Sequence, residues 1–144
     1  MPKSGSPELP GVDVDRMREC LAQTDVVFAI VFGSHARGAA TESSDVDIAL
    51  RFSDEMDDYE RFKRRNRIDA TLQQYASGFV DVSDIEDLPT HVAHAALRDG
   101  IPIVGDEQAI ADYEERVAAE YERDRSERER ERRAFIDRLA RGDV

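Results

Sequence analysis

A run of seven consecutive apolar residues, from Val26 to Phe32, constrains the fold more than any other part of the sequence. A run of this length is typical of a strand that is buried on both faces. Gly33 and Ser34 end it, and after ten further residues Asp45-Val46-Asp47-Ile48 alternates charged with apolar residues, as a strand does. The sequence therefore predicts a buried strand, a Gly-Ser turn and an Asp-x-Asp strand, in that order.

Helical and strand patterns alternate along the rest of the chain. Helices are expected at residues 13–23, 57–76 and 88–97 and from residue 106 onward, and further strands at 79–82 and 101–104. Asp13 is a suitable N-cap for the first helix, and Pro102 indicates an edge position for the last strand. These elements predict an α/β fold, a small mixed β-sheet with helices on one side and a long C-terminal helix.

One domain accounts for the length of 144 residues. Residues 1–12 are rich in Pro, Ser and Gly and are expected to form a flexible tail. Residues 13–105 would form the core, and residues 106–144 a charged helix of the same domain. The apolar side of the second helix is expected to consist of Tyr59, Phe62, Ile68, Leu72 and Tyr75.

The chain is strongly acidic, with 32 Asp and Glu against 20 Lys and Arg and a net charge of −12. Such a field repels nucleic acid, so a direct nucleic-acid substrate is not expected. Disorder is excluded because the hydrophobic residues, 40% of the chain, fall in periodic segments. An acidic surface with few lysines resembles the proteins of halophilic archaea, and we expect a source of that kind.

The sequence contains no feature that indicates export or membrane insertion. No apolar run reaches the length of about 18 residues that a membrane-spanning helix needs, and the N-terminus lacks the pattern of a secretory signal. The single cysteine, Cys20, excludes an internal disulfide and suits a reducing compartment. We therefore expect a cytoplasmic protein without membrane contact.

Two aspartates of the second strand carry the strongest chemical signal. Asp45 and Asp47 are two residues apart, so their carboxylates project to the same face of the strand. Two unpaired carboxylates repel each other, and a divalent cation such as Mg²⁺ removes that conflict. Asp81, in the strand at 79–82, is the best-placed third carboxylate. Asp45, Asp47 and Asp81 thus predict a site for two Mg²⁺ ions, with Mn²⁺ as an alternative, of the kind that catalyses phosphoryl displacement.

The turn after the first strand is suited to bind phosphate. Gly33 permits close backbone approach, and the N–H groups of the turn together with the Ser34 hydroxyl can hold the β- and γ-phosphates of a nucleoside triphosphate. Arg37 could add positive charge near the leaving pyrophosphate, although an ordinary surface arginine is an equally good interpretation.

Other polar and aromatic residues have simpler interpretations. His91 and His94 lie one helical turn apart, but no further metal ligand lies near them in the sequence, which favours solvent-facing or packing roles. The tyrosines fall on apolar stripes and are expected in the core rather than as acceptor sites: Tyr59, Tyr75, Tyr113 and Tyr121. The basic cluster of the second helix is expected to be balanced by surrounding acids: Arg61, Lys63, Arg64, Arg65 and Arg67.

The string from Gly33 to Gly38, followed by Ser44-Asp45-Val46-Asp47, resembles the signature of the polymerase-β-like nucleotidyltransferase superfamily, and in particular its minimal nucleotidyltransferase (MNT) branch. The resemblance extends from about residue 13 to Gly105. It implies that Asp45, Asp47 and Asp81 bind the metal ions and that Gly33 and Ser34 bind phosphate. His35 departs from the pattern, because many members have arginine at this position.

The resemblance also implies a partner and a reaction. MNT proteins commonly act as antitoxins of HEPN-family ribonuclease toxins, and several resemble protein adenylyltransferases that place AMP from ATP on a toxin tyrosine. We therefore expect a metal-dependent adenylyltransferase that forms a heteromeric complex with a HEPN toxin.

Two alternatives remain open at this stage. A small-molecule transferase of the aminoglycoside type would share the same core, although 144 residues leave no obvious second domain to hold such a substrate. A catalytically silent module could neutralise a toxin by binding alone, but such a module has no reason to keep three mutually repelling carboxylates. A neighbouring reading frame for a small helical protein with an Arg-x₄–₆-His motif would favour the antitoxin.

Overall fold

Four long helices and four strands form the described part of the chain, residues 7–142, in the computed structural model. Their order is α1 (Val14–Ala22), β1 (Phe28–Phe32), β2 (Val46–Arg51), α2 (Asp58–Leu72), β3 (Val80–Asp84), α3 (Thr90–Asp99), β4 (Ile101–Gly105) and α4 (Glu107–Ala140). Short 3₁₀ turns at Gln73–Tyr75 and Ile85–Asp87 follow α2 and β3.

The strands form one mixed sheet in the order β3-β2-β1-β4. β1 is antiparallel to both of its neighbours, whereas β2 and β3 run parallel. The predicted α/β class, the mixed sheet and the long C-terminal helix are thereby confirmed. Pro102 lies on the edge strand β4, as predicted, where a missing backbone N–H removes no ladder bond from the centre of the sheet.

The helices cover both faces of the sheet, which differs from the prediction of helices on one side. Ala29 and Val31 of β1 contribute to a core cluster that also contains residues of α1 and α2. Phe28 and Ile30 contribute to a second cluster with residues of α3 and α4. Successive strand residues point to opposite faces, so a strand that is apolar throughout needs a cover on each side.

The buried face of α2 differs from the expected one. Ile68 and Leu72 are buried, but the side chains of Tyr59 and Phe62 are 69% and 58% exposed. At about 100° per residue, Phe62 and Tyr59 lie roughly 120° and 180° around the helix from Ile68, so they cannot share its face. Arg61 lies on that face instead, one heptad before Ile68.

Side chains from the helices bond to both edge strands. Gln73 donates to the Val80 carbonyl and accepts from the Val80 N–H, and Arg65 donates to the Val82 carbonyl, so β3 is capped from α2. On the opposite edge, Arg18 of α1 donates to the Ile103 carbonyl of β4. These bonds occupy three backbone groups of the β3 edge and one of the β4 edge.

The segment before α1 is packed rather than loose over the part that the structure describes. Leu9 is buried in the core, and Val12 forms an antiparallel bridge with Ala76. Residues 9 and 12 are thus packed against the fold, where a flexible tail at residues 1–12 was expected, and residues 1–6 lie outside the described part. Asp13 caps α1 as predicted, because its side chain accepts from the Arg16 N–H.

The long helix α4 has two unlike halves. Tyr113 and Val117 bury its first half against the sheet, whereas every residue from 122 to 142 is exposed. Neither α4 nor any other helix in residues 7–142 combines the length and apolarity that crossing a membrane requires.

Candidate active site

The turn after β1 brings the backbone against the carboxylate of β2. Gly33 has φ +77°, and a Cβ built there would lie 2.4 Å from Asp47 Oδ2. Only glycine fits this position without moving that carboxylate. Three backbone hydrogen bonds then close the turn: Arg37 N–H to Gly33 O, Gly38 N–H to His35 O and Ala39 N–H to Ser34 O.

Three carboxylates meet at the same end of the sheet. Asp45 immediately precedes β2, Asp47 is the second residue of β2, and Asp81 of β3 is the register partner of Asp47. Asp45 and Asp81 are exposed and Asp47 is half-buried. Strand alternation and the parallel register place all three on one face, with neighbouring strands about 4.8 Å apart.

Negative charge accumulates at this end of the sheet. Burial raises the pKa of Asp47, and the neighbouring charges of Asp81 and Asp45 raise it further. Arg37 and His35 partly oppose this rise. Within residues 7–142, none of the three carboxylates has a hydrogen bond or an ion pair. The fold therefore holds negative charge here without compensating it.

The donor set suits a hard divalent cation such as Mg²⁺, which prefers oxygen ligands. In the described part of the chain, no three His, Cys, Asp or Glu side chains converge to hold one ion. A cation would therefore need oxygens from a second source as well, and a triphosphate provides them. Such a combination is the ordinary mode of Mg²⁺ binding at nucleotide sites.

A cavity of about 610 Å³ lies beside these carboxylates. Its volume falls within the range of about 300–1,000 Å³ that is usual for small-molecule sites. The turn and β2 supply one wall and α3 supplies the other: Phe32, Gly33, Ser34, Ala36, Arg37, Ser44, Asp45 and Asp47 face His91, Val92, Ala95, Ala96, Asp99 and Gly100. Asp81 lies outside this lining.

The α3 wall was missed by the sequence analysis. His91, Ala95 and Asp99 recur at four-residue intervals, which places them on one side of α3, and Ala95 and Ala96 are small enough to leave space beside the turn. Gly100 continues this close packing, because a Cβ there would lie 2.2 Å from Ala96 O. In the sequence, one feature indicated this wall: a side of the helix that carries two small residues and one histidine.

The two histidines of α3 do not act as a pair. His91 is exposed at the cavity, whereas the ring of His94 stacks on Tyr121 with centroids 4.3 Å apart. A third histidine, His35, is buried in the turn, and neither of its ring nitrogens has a hydrogen-bond partner in residues 7–142. The expectation of solvent-facing or packing roles for His91 and His94 is confirmed.

The remaining aromatic and basic residues match their expected roles in part. Tyr113 is buried and Tyr75 and Tyr121 are partly buried, but Tyr59 is exposed. Within the basic cluster of α2, Arg61 pairs with Asp84 and Glu86, and Arg64 pairs with Asp25 and Glu60. Lys63 pairs with Glu60 and Arg65 with Asp69, so four members of the cluster are balanced by acids, as predicted, whereas Arg67 has no ion pair within residues 7–142.

The glycine turn after β1, the row of carboxylates without an ion pair in the described residues and the adjoining cavity together form the candidate active site. In agreement, residues 16–109 match the family described as polymerase beta, nucleotidyltransferase. The chain belongs to this family and is a nucleotidyltransferase. No curated protein matches the sequence.

Solved structures of toxin–antitoxin complexes have the same fold. A toxin–antitoxin structure with AMP-PNP is 21% identical, with a TM-score of 0.65, over 89% of this chain and 98% of that one. The MntA-HepT toxin–antitoxin structure is 20% identical, with a TM-score of 0.57, over 88% and 95%. A structure of a tri-AMPylated Shewanella oneidensis HEPN toxin with its MNT antitoxin is 18% identical, with a TM-score of 0.56, over 88% and 98%.

Proposed function

We propose that this nucleotidyltransferase moves AMP from ATP to a tyrosine hydroxyl of a HEPN-family toxin and thereby acts as its antitoxin. The observation that carries the proposal is the set of three uncompensated carboxylates beside a nucleotide-sized cavity. A protein that only bound its partner would gain nothing from this arrangement, because the repulsion costs stability. The complex of an MNT antitoxin with a tri-AMPylated HEPN toxin supports the choice of a HEPN toxin as the protein that accepts AMP, and the tyrosine follows from the family resemblance.

The residues of the turn would bind the phosphates, and the carboxylates of β2 and β3 would hold the metal ions. Backbone N–H groups after Gly33 and the Ser34 hydroxyl hold the β- and γ-phosphates, and the exposed Arg37 side chain stabilises charge on the departing pyrophosphate. Two divalent ions held by Asp45, Asp47 and Asp81 would, when bound, neutralise the phosphate oxygens and the attacking oxygen. The small residues of α3 leave room for the nucleoside.

The acceptor reaction follows from the position of Asp81. The acceptor oxygen forms a bond to the α-phosphorus while the bond to the pyrophosphate oxygen breaks, and the hydroxyl proton has to leave. Asp81 is exposed and lies outside the cavity lining, so an incoming acceptor can reach it. Its carboxylate is the group best placed to help remove that proton. The positioning of the two substrates and the electrostatic stabilisation of the transition state would provide most of the rate acceleration.

The partner would dock on the exposed half of α4. Helix side chains already bond to both sheet edges, which leaves the long helix as the larger free surface. Phe135, Ile136 and Leu139 near its end are 49%, 48% and 48% exposed. Three large apolar side chains on one helical turn, preceded by charged residues, are suited to a protein partner.

A mass measurement tests this function. The chain, Mg-ATP and the helical protein encoded beside it should yield a partner whose mass rises by whole AMP units. Asp45→Asn should lower the transfer by about 10³-fold, because a carboxylate that would hold the divalent ions, and through them stabilise the transition state, is lost. Asp54→Asn is the matched control, since Asp54 lies at the other end of β2 and pairs with Arg51 at 3.0 Å.

The same mixture distinguishes catalysis from occupancy. Size-exclusion chromatography should show that Asp45→Asn still binds the partner. If the wild-type chain silences the partner without changing its mass, neutralisation by binding replaces the proposed reaction.

A further inference from the structure

Phe79 is an exposed aromatic residue next to the carboxylates. It immediately precedes β3 and its side chain is 60% exposed. It lies two positions before Asp81, so both side chains project to the same face, with their Cα atoms about 7 Å apart. In the parallel register, Val80 pairs with Val46, which puts Phe79 beside Asp45.

The backbone holds Phe79 firmly in place. The Val46 N–H donates to the Phe79 carbonyl at 2.8 Å, which extends the β2–β3 ladder by one residue. A Cβ at Gly78 would lie 2.1 Å from Ser44 O, so the chain before Phe79 is in tight contact with the start of β2. Phe79 is therefore displayed on a fixed strand end rather than on a loose loop.

The sheet order separates the two substrates. The phosphate-binding turn follows β1, the Asp45–Asp47 pair lies on β2 and Asp81 lies on β3, in consecutive places across the sheet. The cavity is lined from the turn, β2 and α3, and neither Asp81 nor Phe79 contributes to it. In an in-line displacement, the attacking and leaving oxygens stand on opposite sides of the phosphorus. With pyrophosphate over β1, the acceptor must therefore approach over β3.

From this geometry we propose that Phe79 binds the acceptor and selects an aromatic hydroxyl. The inference rests on the proposed function and specifies how the acceptor is recognised. A tyrosine ring stacked on Phe79 directs its hydroxyl toward Asp81, whereas a serine or threonine side chain is too short to use that contact.

The other exposed aromatic residues do not share this setting. Tyr59 and Phe62 lie on α2, where Lys63 is 4.8 Å from the Tyr59 ring centroid and Arg65 is 6.0 Å from that of Phe62. Within residues 7–142, Phe79 has no ring–ring or cation–π contact. Single exposed aromatic residues are common on proteins, so the assignment depends on the position of Phe79 beside the carboxylates and on its free face.

Steady-state transfer to the partner protein tests the assignment. Phe79→Ala should raise the KM for the partner or lower kcat/KM by about tenfold or more, as expected for an aromatic contact residue at the centre of a protein contact. The KM for ATP and Mg-ATP binding by calorimetry should not change. Phe79→Tyr should retain most of the activity, because it keeps the ring. Phe62→Ala is the matched control, since it removes a phenyl ring of nearly equal exposure, 58%, from α2.

The outcomes distinguish a failure of the role of Phe79 from a failure of the proposed AMP transfer. Wild-type activity in Phe79→Ala would overturn the assignment of Phe79 alone. A loss of Mg-ATP binding in that variant would also overturn it, since the ring would then serve the nucleotide. If the wild-type chain transfers no AMP, the proposed function fails and the role of Phe79 in acceptor binding fails with it. A loss of kcat/KM in Phe62→Ala equal to that in Phe79→Ala would also overturn the assignment, because the removal of any exposed phenyl ring would then have the same effect.

Discussion

The two ends of the parallel pair β2 and β3 carry similar numbers of acids and treat them in opposite ways. At the start of the strands, Asp45, Asp47 and Asp81 have no ion pair within the described residues. At the far end, Arg61 Nε lies 3.2 Å from Asp84 Oδ2, and Arg61 Nη1 lies 3.0 Å from Glu86 Oε2. The acids at the far end have ion pairs within the protein, and those at the start of the strands have none in the described residues.

The pKa directions of two aspartates express this difference. Burial is the largest cause that raises the pKa of Asp47 and also that of Asp84. At Asp47, the neighbouring carboxylates add to the rise. At Asp84, a hydrogen bond from the Glu86 N–H and the charge of Arg61 oppose the rise, while the charges of Asp87 and Glu86 add to it. Asp84 therefore has an arginine of its own within the protein, whereas Asp47 lies mainly among other carboxylates.

The largest effect on stability is expected at the far end of β2 and β3, where Arg61 pairs with Asp84. Arg61→Ala leaves Asp84 buried, with a relative exposure of 3%, and without its cation. Removing one partner of a buried pair costs about 3 kcal/mol, so urea unfolding should show a loss of this size in the free energy of unfolding. The control is Arg64→Ala, whose pairs with Asp25 and Glu60 are more exposed and should contribute less than about 1 kcal/mol.

A second substitution checks the cause. Asp84→Asn in the Arg61→Ala background removes the uncompensated charge and should recover part of the lost stability. Equal losses in the free energy of unfolding for Arg61→Ala and Arg64→Ala would contradict the prediction. The ion pairs of Arg61 would then contribute no more than ordinary surface ion pairs.

Much of the fold could be predicted because its signals are local. The apolar run at 26–32 predicted β1, and Asp13 predicted the start of α1 through a cap that needs only three following residues. The family signature likewise brings Gly33, Asp45 and Asp47 together within 15 residues of sequence. Neighbouring strands and one turn connect these positions, so short-range spacing was sufficient to place them at one site.

Features that depend on contacts distant in sequence were missed. The apolar residues of α2 indicated a face through Tyr59 and Phe62, but the sheet-facing position is occupied by Arg61, whose partner Asp84 is 23 residues further on. Likewise, no local pattern showed that α3 would stand opposite the turn and complete the cavity. The heptad spacing of Arg61 to Ile68 was visible in the sequence, yet a charged residue on a core face is recognised only with its partner in place.

Salt should act in opposite directions at the two ends. Screening weakens the repulsion among Asp45, Asp47 and Asp81 and also weakens the ion pairs of Arg61. With a net charge of −12, the relief of repulsion should prevail, and the melting temperature should rise by roughly 5 °C between low and molar KCl, where the Debye length is about 3 Å. Asp45→Asn/Asp47→Asn should rise less, because part of the repulsion is already gone.

A melting temperature that is flat across this range would contradict the prediction. It would also remove the basis of the expected halophilic source, which rests on composition alone and which none of the comparisons supports. The one organism named for the matched structures described above is Shewanella oneidensis.

The smallest effect is expected from Asp47→Asn, and pH determines its size. The pKa of Asp47 is raised in the folded chain, so its ionised form costs stability at any pH above that folded pKa. The cost disappears as pH falls through the folded pKa and toward the unfolded value of 3.8. Asp47→Asn should therefore melt about 2 °C higher than the wild type near pH 7 and at the same temperature in strong acid.

Asp54→Asn is the control for Asp47→Asn, and added Mg-ATP provides a second comparison. Asp54→Asn should lower the melting temperature slightly at pH 7, because Asp54 has Arg51 as its partner at 3.0 Å. Mg-ATP should then reverse the order of Asp47→Asn and the wild type, since a ligand that binds only the folded state stabilises the protein that retains the site. If the wild type melts higher than Asp47→Asn without ligand, the carboxylate end is already balanced, and the contrast between the two ends of β2 and β3 does not hold.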